Sequence, residues 1–436
     1  MPRNPGPLVN ELQSFMKRML VYNLILTAAL AGTAGATTIE AVVAETLKRN
    51  PELRFYEAEL QAARAGRRSA GLLDNPEVSG SFGQKTVREA GVNSDGPAWS
   101  VSVMQPFEWP GRIGLRKAIA NRDVELAELG LARFRAALAG QARSLAYGYL
   151  AASEKASASR EVAARFQALR EVLVQRDPAG LTPLLETRVI EATDLTMQRK
   201  AVQTTLAAQT ALMELNQLRG AEPGALPVIT QASPAFRPAP AMDALFALAR
   251  TNNFELRLRY VELAQQGLRV DLARNERYPD ISVGPTISEE QAGSRERTIG
   301  ISVSLPLPLW NRNTANVEAA RARQQQAEVS YRVLERDIRR RVAEAALAYE
   351  TGLREMSQWR SDSVQHFREA AELADRHYRL GAVPVSTYVE LQEKYLDAVE
   401  SLLDTRKETL EAALKLELLT GLTPTLATSP APEEAP

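Results

Sequence analysis

Two kinds of hydrophobic spacing alternate along this chain. Short segments follow a period of two. In Thr298–Leu305, Ile299, Ile301, Val303 and Leu305 share one face, and Gly300, Ser302 and Ser304 the other. Asp280–Ile287 sets Ile281, Val283, Pro285 and Ile287 against Ser282, Gly284 and Thr286. Trp99–Val103 sets Trp99, Val101 and Val103 against Ser100 and Ser102, and Glu77–Gly83 sets Val78 and Phe82 against Ser79, Ser81 and Gly83. Such alternation predicts β-strands. Long segments follow a different rhythm. Arg112 to about Arg176 has no proline and carries Val124, Leu131, Leu138 and Leu145 one heptad apart. About 65 residues of helix at ~1.5 Å each reach roughly 100 Å. Near the end of the chain Tyr388, Leu391, Tyr395, Ala398, Leu402, Thr405, Thr409, Ala412, Leu416 and Leu419 alternate steps of three and four. That is coiled-coil spacing. The seam is thin and rich in alanine, so neighbouring helices can approach closely.

The pattern occurs twice. Asn50-Pro-Glu-Leu53 returns as Asn253-Phe-Glu-Leu256, and Asn75-Pro-Glu-Val-Ser79 as Tyr278-Pro-Asp-Ile-Ser282. Pro106–Arg112 returns as Pro306–Arg312, Gly180–Pro183 as Gly381–Pro384, and Glu214–Gly220 as Lys415–Gly421. The offset stays between 200 and 203 residues throughout. One unit of about 200 residues is duplicated. The first repeat is 37–220 and the second 241–421, joined by a proline-rich linker, 221–240; a Pro- and Ala-rich tail, 422–436, reads as disordered. Each unit has two helices (about Ile39–Asn50 and Leu53–Leu73, then Ala241–Asn252 and Glu255–Glu276). Two strands (about 77–105, then 280–306) and a long helical hairpin follow.

The polar face of each strand consists of small uncharged residues. A soluble sandwich would carry Lys, Glu or Thr there. Ser and Gly fit the inside of a barrel, and the apolar face fits lipid. Trp99, Phe107, Trp109, Tyr278 and Trp310 cluster near strand ends, where interfacial aromatics sit. Lys85–Pro97 and Ser288–Arg297 are polar and read as exposed loops. Four strands cannot close a membrane barrel, and open edges do not survive in hydrocarbon. Strands that span must therefore be shared among several chains, and three copies give twelve.

Composition narrows the chemistry. The chain has 53 Lys+Arg and 53 Asp+Glu, which argues against a nucleic-acid partner. It has no cysteine, so no disulfide framework, thiolate nucleophile or Cys-ligated metal. No nucleophile–base set, phosphate loop or HExxH motif appears, so no enzyme and no cofactor are expected. His366 and His377 lie eleven residues apart on the same helix face, ~16 Å along its axis, too far to share one metal. Met16-Lys17-Arg18, an apolar run from Met19 to Leu30 and the small residues Ala34 and Ala36 read as a signal peptide, residues 1–36, with Met16 a candidate start. A run of about 12 apolar residues is too short to span a membrane as a helix.

With this order of elements the chain resembles the TolC-type outer membrane efflux protein family over residues 37–421. Ser302-Val-Ser-Leu-Pro-Leu-Pro-Leu-Trp-Asn-Arg-Asn313, followed by Asn316-Val-Glu-Ala-Ala-Arg321, resembles the strand-to-helix junction of the cobalt–zinc–cadmium (CzcC-like) branch. Arg379-Leu-Gly-Ala-Val-Pro-Val-Ser386, then Tyr388-Val-Glu-Leu-Gln392, is similar to the family's second hairpin tip. The resemblance implies an α plus transmembrane β fold. It implies a homotrimer with one twelve-stranded barrel in the outer membrane of a Gram-negative cell and an α-helical tunnel through the periplasm. It further implies a passive duct that works with a periplasmic adaptor and an inner-membrane RND-type pump, with heavy-metal cations as the cargo. A duct for drugs or small organic molecules, or for type I protein secretion, shares the fold and stays open. From another class, an adaptor would have one hairpin and a β-rich remainder, and a structural coiled coil would lack the strand pairs.

Two groups of residues follow from the resemblance. The hairpin tips, Asp177, Gly180, Leu181, Thr182 and Pro183 in the first repeat and Leu380, Gly381, Ala382, Val383 and Pro384 in the second, are expected to meet the adaptor. In both, Gly suits a helix end and Pro the first turn of the next helix. Thr387 and Glu390 fall where the family narrows its pore with acidic residues, and only Glu390 is acidic here. Glu186 is the nearest carboxylate past the first tip. A ring of three Glu390 side chains attracts cations; a solvated helix face explains the same residue equally well.

Overall fold

The computed structural model describes residues 38–89, 91–176, 184–227, 229, 234–359, 363–422 and 426–428. The segment read as a signal peptide and the first hairpin tip, Asp177, Gly180, Leu181, Thr182 and Pro183, lie outside the described residues. In chain order the elements are α1 Ile39–Arg49, α2 Glu52–Ser69, β1 Glu77–Glu89, β2 Val92–Phe107, α3 Arg112–Arg176 and α4 Leu184–Arg219. Then come β3 Ala235–Phe236, α5 Met242–Asn252, α6 Phe254–Asn275, β4 Ile281–Ala292, β5 Ser294–Ser304, α7 Thr314–Gln358, α8 Ser363–Arg379, α9 Val385–Thr420 and β6 Ala427–Thr428.

The repeated sequence landmarks perform repeated tasks. Asn50 and Asn253 each end one helix and cap the next. The Asn253 Oδ1 accepts from the backbone N–H groups of Glu255 and Leu256, and Asn50 Oδ1 accepts from that of Glu52. Their amides reach across to the last turn of the long return helix. Asn50 Nδ2 donates to Leu218 O at 3.1 Å, and Asn253 Nδ2 to Leu419 O at 2.8 Å. The glycines that follow, Gly220 and Gly421, both have positive φ, 64° and 65°. A left-handed residue ends each helix there without Cβ strain.

The four long strands form one antiparallel sheet in the order β1-β2-β4-β5. Val101 lies opposite Ile287 and Ser102 opposite Thr286, so the two repeats meet at the centre of the sheet. The β2–β4 ladder skips Pro285 and Gly284, as expected where proline has no N–H to donate. The expected loops Lys85–Pro97 and Ser288–Arg297 are instead the continuation of the strands. Their turns are confined to residues around Gly91 and Gly293. Charge pairs hold these ends together: Lys85 Nζ lies 2.5 Å from Glu290 and 3.4 Å from Glu296, and Arg295 Nη2 lies 2.6 Å from Glu289. A hydrophobic period cannot register such pairs.

Helix α3 runs 65 residues without a break. Its return, α4, packs along it. In the second repeat the corresponding helix is interrupted. Helix α7 ends at Gln358, Trp359 is extended (φ −82°, ψ 125°), and α8 begins at Ser363. The junction is rich in serine, whose side chain competes for backbone groups; Ser357 Oγ donates to Arg354 O at 2.6 Å. In α9 the buried face is wider than a single coiled-coil seam. Tyr388, Tyr395, Ala398, Thr405, Thr409, Leu416 and Leu419 are joined there by Gln392, Leu396, Leu403, Leu410 and Ala413. The reason is that α9 touches α3, α7 and α8 at once. Fully buried alanines, Ala142, Ala146, Ala346, Ala371 and Ala413, keep the helices close.

Linker and tail meet beside this core. Ala235–Phe236 pairs with Ala427–Thr428, within the segment read as disordered. Leu426 and Ala427 are buried, the Leu426 N–H donates to Glu417 Oε1 at 2.8 Å, and Tyr349 Oη donates to Arg237 O at 2.6 Å. Burial pushes the Tyr349 hydroxyl up to about 12. A Pro/Ala-rich composition signals no such anchor; the buried carboxylate of Glu417 and the tyrosine supply it.

Candidate functional site

The sheet carries its polarity inside out relative to a soluble protein. On one face Ser79 and Ser102 lie with their hydroxyl oxygens 2.8 Å apart, as do Ser81 and Ser100. Ser282 opposes Ser304 and Gly284 opposes Ser302 on the same side. On the other face the apolar side chains stand free: Phe82 is 84% exposed and Ile301 78%, with Val78, Ile299 and Val303 also exposed. Fully burying one such side chain contributes ~1.5–3 kcal/mol. Leaving all five in water forgoes roughly 10 kcal/mol of stabilisation, which transfer of that face into hydrocarbon supplies. Strands of 11 to 16 residues, at ~3.3 Å per residue and ~40° tilt, cover roughly 28–40 Å along a membrane normal. That matches a hydrocarbon core of ~30 Å. Among the described residues no helix is long and apolar enough to cross a membrane.

At the far end of the helices lies the second hairpin tip. Helix α8 closes with a paired C-terminal motif: Ala382 N–H donates to His377 O and Gly381 N–H to Tyr378 O, both at 2.9 Å. Gly381 takes φ 73°, which the motif requires. Pro384 (φ −72°, ψ 157°) sits just before α9 as its N-cap, not within its first turn. Leu380, Gly381, Ala382 and Pro384 are exposed and Val383 half-buried.

Just inside this tip the two hairpins are tied together. Tyr388 is fully buried, stacked on Tyr378 (5.2 Å between centroids) and against Phe166 of α3 (5.1 Å). Burial, reinforced by the carboxylate of Asp375, holds the Tyr388 hydroxyl far above its ordinary range. Burial and then Glu186 raise that of Tyr378. Arg165 of α3 donates to Gln392 Oε1 at 3.2 Å and lies 2.6 Å from Glu161 and 3.6 Å from Glu372. Gln392 in turn donates to Ala371 O at 2.7 Å, and Arg368 of α8 lies 2.8 Å from Glu161. Asp194 of α4 is fully buried and met by Arg170 at 2.9 Å. Sequence reasoning missed this network, because its members are spread over four helices. The one signal was the mixture of Tyr, Gln and Thr in an otherwise apolar stripe.

Glu390 is exposed on α9, Thr387 is half-buried, and Glu186 is half-buried near Tyr378. His366 and His377 are both exposed on α8. Among the described residues no group of three or more His, Asp or Glu side chains is placed to hold a metal ion.

An apolar-outside sheet with a small-residue inner face, continued by a long helical stem, defines a channel protein of the outer membrane that extends into the periplasm. Residues 245–422 match the family described as "Outer membrane efflux protein". The chain is 26% identical over 304 residues to the "Cobalt-zinc-cadmium resistance protein CzcC" of Cupriavidus metallidurans, covering 68% of this chain and 69% of that protein. Its fold is that of solved channels. It superposes with TM-score 0.69 on CusC (16% identity, 88% of this chain and 92% of that one). The Campylobacter jejuni CmeC outer membrane channel gives 0.70 (16% identity, 88% and 85%). The second repeat thus carries the likeness to outer membrane efflux proteins, and the chain as a whole has a TolC-like fold.

Proposed function

We propose that this chain is the passive exit duct of a tripartite RND-type efflux system, with heavy-metal cations as cargo. The observation that carries the duct is the inverted sheet, whose open edges β1 and β5 demand neighbours in hydrocarbon. Three copies sharing one twelve-stranded barrel satisfy that demand, above a tunnel formed by the long hairpins. The metal cargo is supported by the likeness to CzcC and by the junction Ser302–Arg321. A duct needs no tight metal site, since tight binding would slow passage. The hairpin tips, Leu380–Pro384 and Asp177–Pro183, face the periplasmic adaptor in this reading. Thr387, Glu390 and Glu186 line the aperture there, where three Glu390 carboxylates favour cations over anions. Residues 1–36 direct export, 37–220 and 241–421 are the two repeats, and 221–240 and 422–436 the linker and tail.

The test is growth of a deletion strain on Zn, Co, Cd, Ni, Cu and Ag salts beside a panel of drugs and detergents. Sensitivity confined to some of the metals and restored by the gene is the expected result. Sensitivity to drugs alone would leave a duct but remove the metal assignment.

A further inference from the structure

At the end of the sheet away from the stem, strand parity sorts charge between the two faces. On the serine face Lys85 Nζ is shared by Glu290 and Glu296, one ammonium between two carboxylates. The opposite face carries Glu289, Arg295 and Arg297, at odd positions of β4 and β5 in step with the apolar Ile287, Ile299 and Ile301. Arg88 falls on the same face in step with Val78 and Phe82, and Asp95 in step with Trp99 and Val101. The lipid-side face of this end therefore holds the guanidiniums of Arg88, Arg295 and Arg297 against the carboxylates of Glu289 and Asp95, and the serine face has the opposite balance.

One carboxylate holds two of these arginines in place and satisfies neither completely. Glu289 lies opposite Arg297 in the β4–β5 ladder, and its side chain is only 13% exposed. Arg295 donates to it from Nε at 2.7 Å and comes within 2.6 Å at Nη2. Arg297 Nε stays 4.0 Å away; its guanidinium makes no hydrogen bond among the described residues, and its side chain is 61% exposed. Arg88 is exposed and has no hydrogen bond or ion pair among the described residues. The strand sets the height of these groups. Leu305 and Phe107 are exposed at the stem end of the apolar face. Arg295 lies ten residues beyond Leu305, which at ~3.3 Å per residue and ~40° tilt is roughly 25 Å along a membrane normal. An outer-membrane barrel has an apolar band ~25 Å tall. The guanidiniums thus stand where hydrocarbon gives way to headgroups, and Trp99, paired with Glu289 across the β2–β4 ladder, marks the same level.

We propose that Arg297, with Arg295 and Arg88, binds the phosphate groups of the glycolipid in the outer leaflet of the outer membrane. This rests on the channel reading above. The stem leaves one end of the sheet for the periplasm, so the opposite end, with these arginines, meets the outer leaflet. The anionic lipid of that leaflet carries its phosphates on a sugar backbone, whereas the phospholipids lie at the stem end. Cationic side chains at a membrane surface attract anionic headgroups. A guanidinium adds a planar fork of donors that matches phosphate and keeps its charge at the edge of hydrocarbon. Arg297 supplies the open donors, Arg295 a second charge beside them, and Arg88 a third cation on the same face. Glu289 sets the spacing of the first two and competes with the phosphate for them.

The test uses the full chain, extracted from membranes and delipidated in detergent. The probes are diphosphorylated lipid A, its dephosphorylated counterpart and phosphatidylglycerol, with bound lipid counted by native mass spectrometry. The diphosphorylated form is expected to bind roughly tenfold or more tightly than the dephosphorylated one, as one charge-assisted hydrogen bond already supplies. Arg297→Gln should weaken its binding by a similar factor, and Arg295→Gln/Arg297→Gln further. Arg68→Gln, an exposed cation at the stem end, should leave it unchanged. Glu289→Gln removes the competing carboxylate and should tighten binding, whereas a sheet damaged by substitution would bind less in every variant. Equal binding of the two lipid A forms, or full binding by Arg295→Gln/Arg297→Gln, would overturn the proposal. So would weaker binding by Glu289→Gln, which would mean that the arginines act only through the fold. Phosphatidylglycerol bound as tightly as lipid A, and lost in the same variants, would overturn the choice of the outer-leaflet glycolipid. A chain missing from the outer-membrane fraction would instead remove the channel reading itself.

Discussion

In the helical stem many of the residues that solvent does not reach are apolar and small, Ala142, Ala146, Ala346 and Ala413, with larger wedges such as Leu215, Ile338 and Leu416 between them. In the sheet the apolar residues are among the most exposed of the chain, Phe82, Ile301, Val78 and Ile299, and the inner positions are serine and glycine. Both regions are amphipathic, and they face opposite media. The stem excludes water from its own seams; the sheet turns its apolar side outward and lines the other side with serine and glycine. The same alphabet of residues therefore reads as core in one place and as outer surface in the other, and period decides which. A 3–4 spacing buries a stripe between helices, while a spacing of two separates two faces of a layer only one residue thick.

The comparison can be broken first on the sheet. Val303→Arg or Ile301→Arg puts a charge on the lipid face, at a cost of ~2–4 kcal/mol near the bilayer midplane, repeated in each copy. Loss of the heat-stable oligomer in outer-membrane fractions is expected, whereas Ser302→Lys, on the inner face, should still assemble and change only conductance. Equal tolerance of Ile301→Arg and Ser302→Lys would show that the sheet does not face lipid. In the stem, Leu416→Ala leaves a cavity at a fully buried site and should cost ~2–5 kcal/mol in chemical denaturation, against well under 1 kcal/mol for Val329→Ala measured on the unassembled chain.

A third effect depends on pH. The Tyr147 and Tyr349 hydroxyls are pushed up to about 12, in each case first by burial. An unfolded tyrosine releases its proton near pH 10, so between about pH 10 and 12 the folded stem holds protons that the unfolded chain has lost. Stability is therefore unaffected by these groups below pH 10. It falls as pH rises through that window, by on the order of 2–3 kcal/mol per tyrosine at its top. Phenolate absorbance that tracks unfolding, instead of preceding it, is the expected signature, and Tyr349→Phe should narrow the loss. The smallest effect belongs to the exposed Arg332–Glu328 pair, an i,i+4 contact at 2.6 Å. Glu328→Gln should change stability by no more than ~0.5 kcal/mol and should disappear into the noise at high salt.

The long helix Arg112–Arg176, the four strands and the duplication were legible because each is written in spacing along the chain. So was the site in outline: the small-residue face of the strands and the tip at Gly381 rest on local rules of side-chain size and backbone freedom. The break between α7 and α8, the Arg165–Glu161–Arg368–Gln392 network, and the anchoring of Leu426 by Glu417 and Tyr349 were not. Each joins residues distant in sequence, and an ion pair or a buried amide leaves no period behind. What the sequence by itself determined is which faces are apolar and how often the pattern repeats, since these follow from geometry within one helix or strand. What only the tertiary structure decided is which of two identical faces is covered. Leu129 and Val329 are equivalent by the repeat offset, and one is sealed while the other is open, because α3 has both α2 and α6 packed along it and α7 has only α6 of that pair.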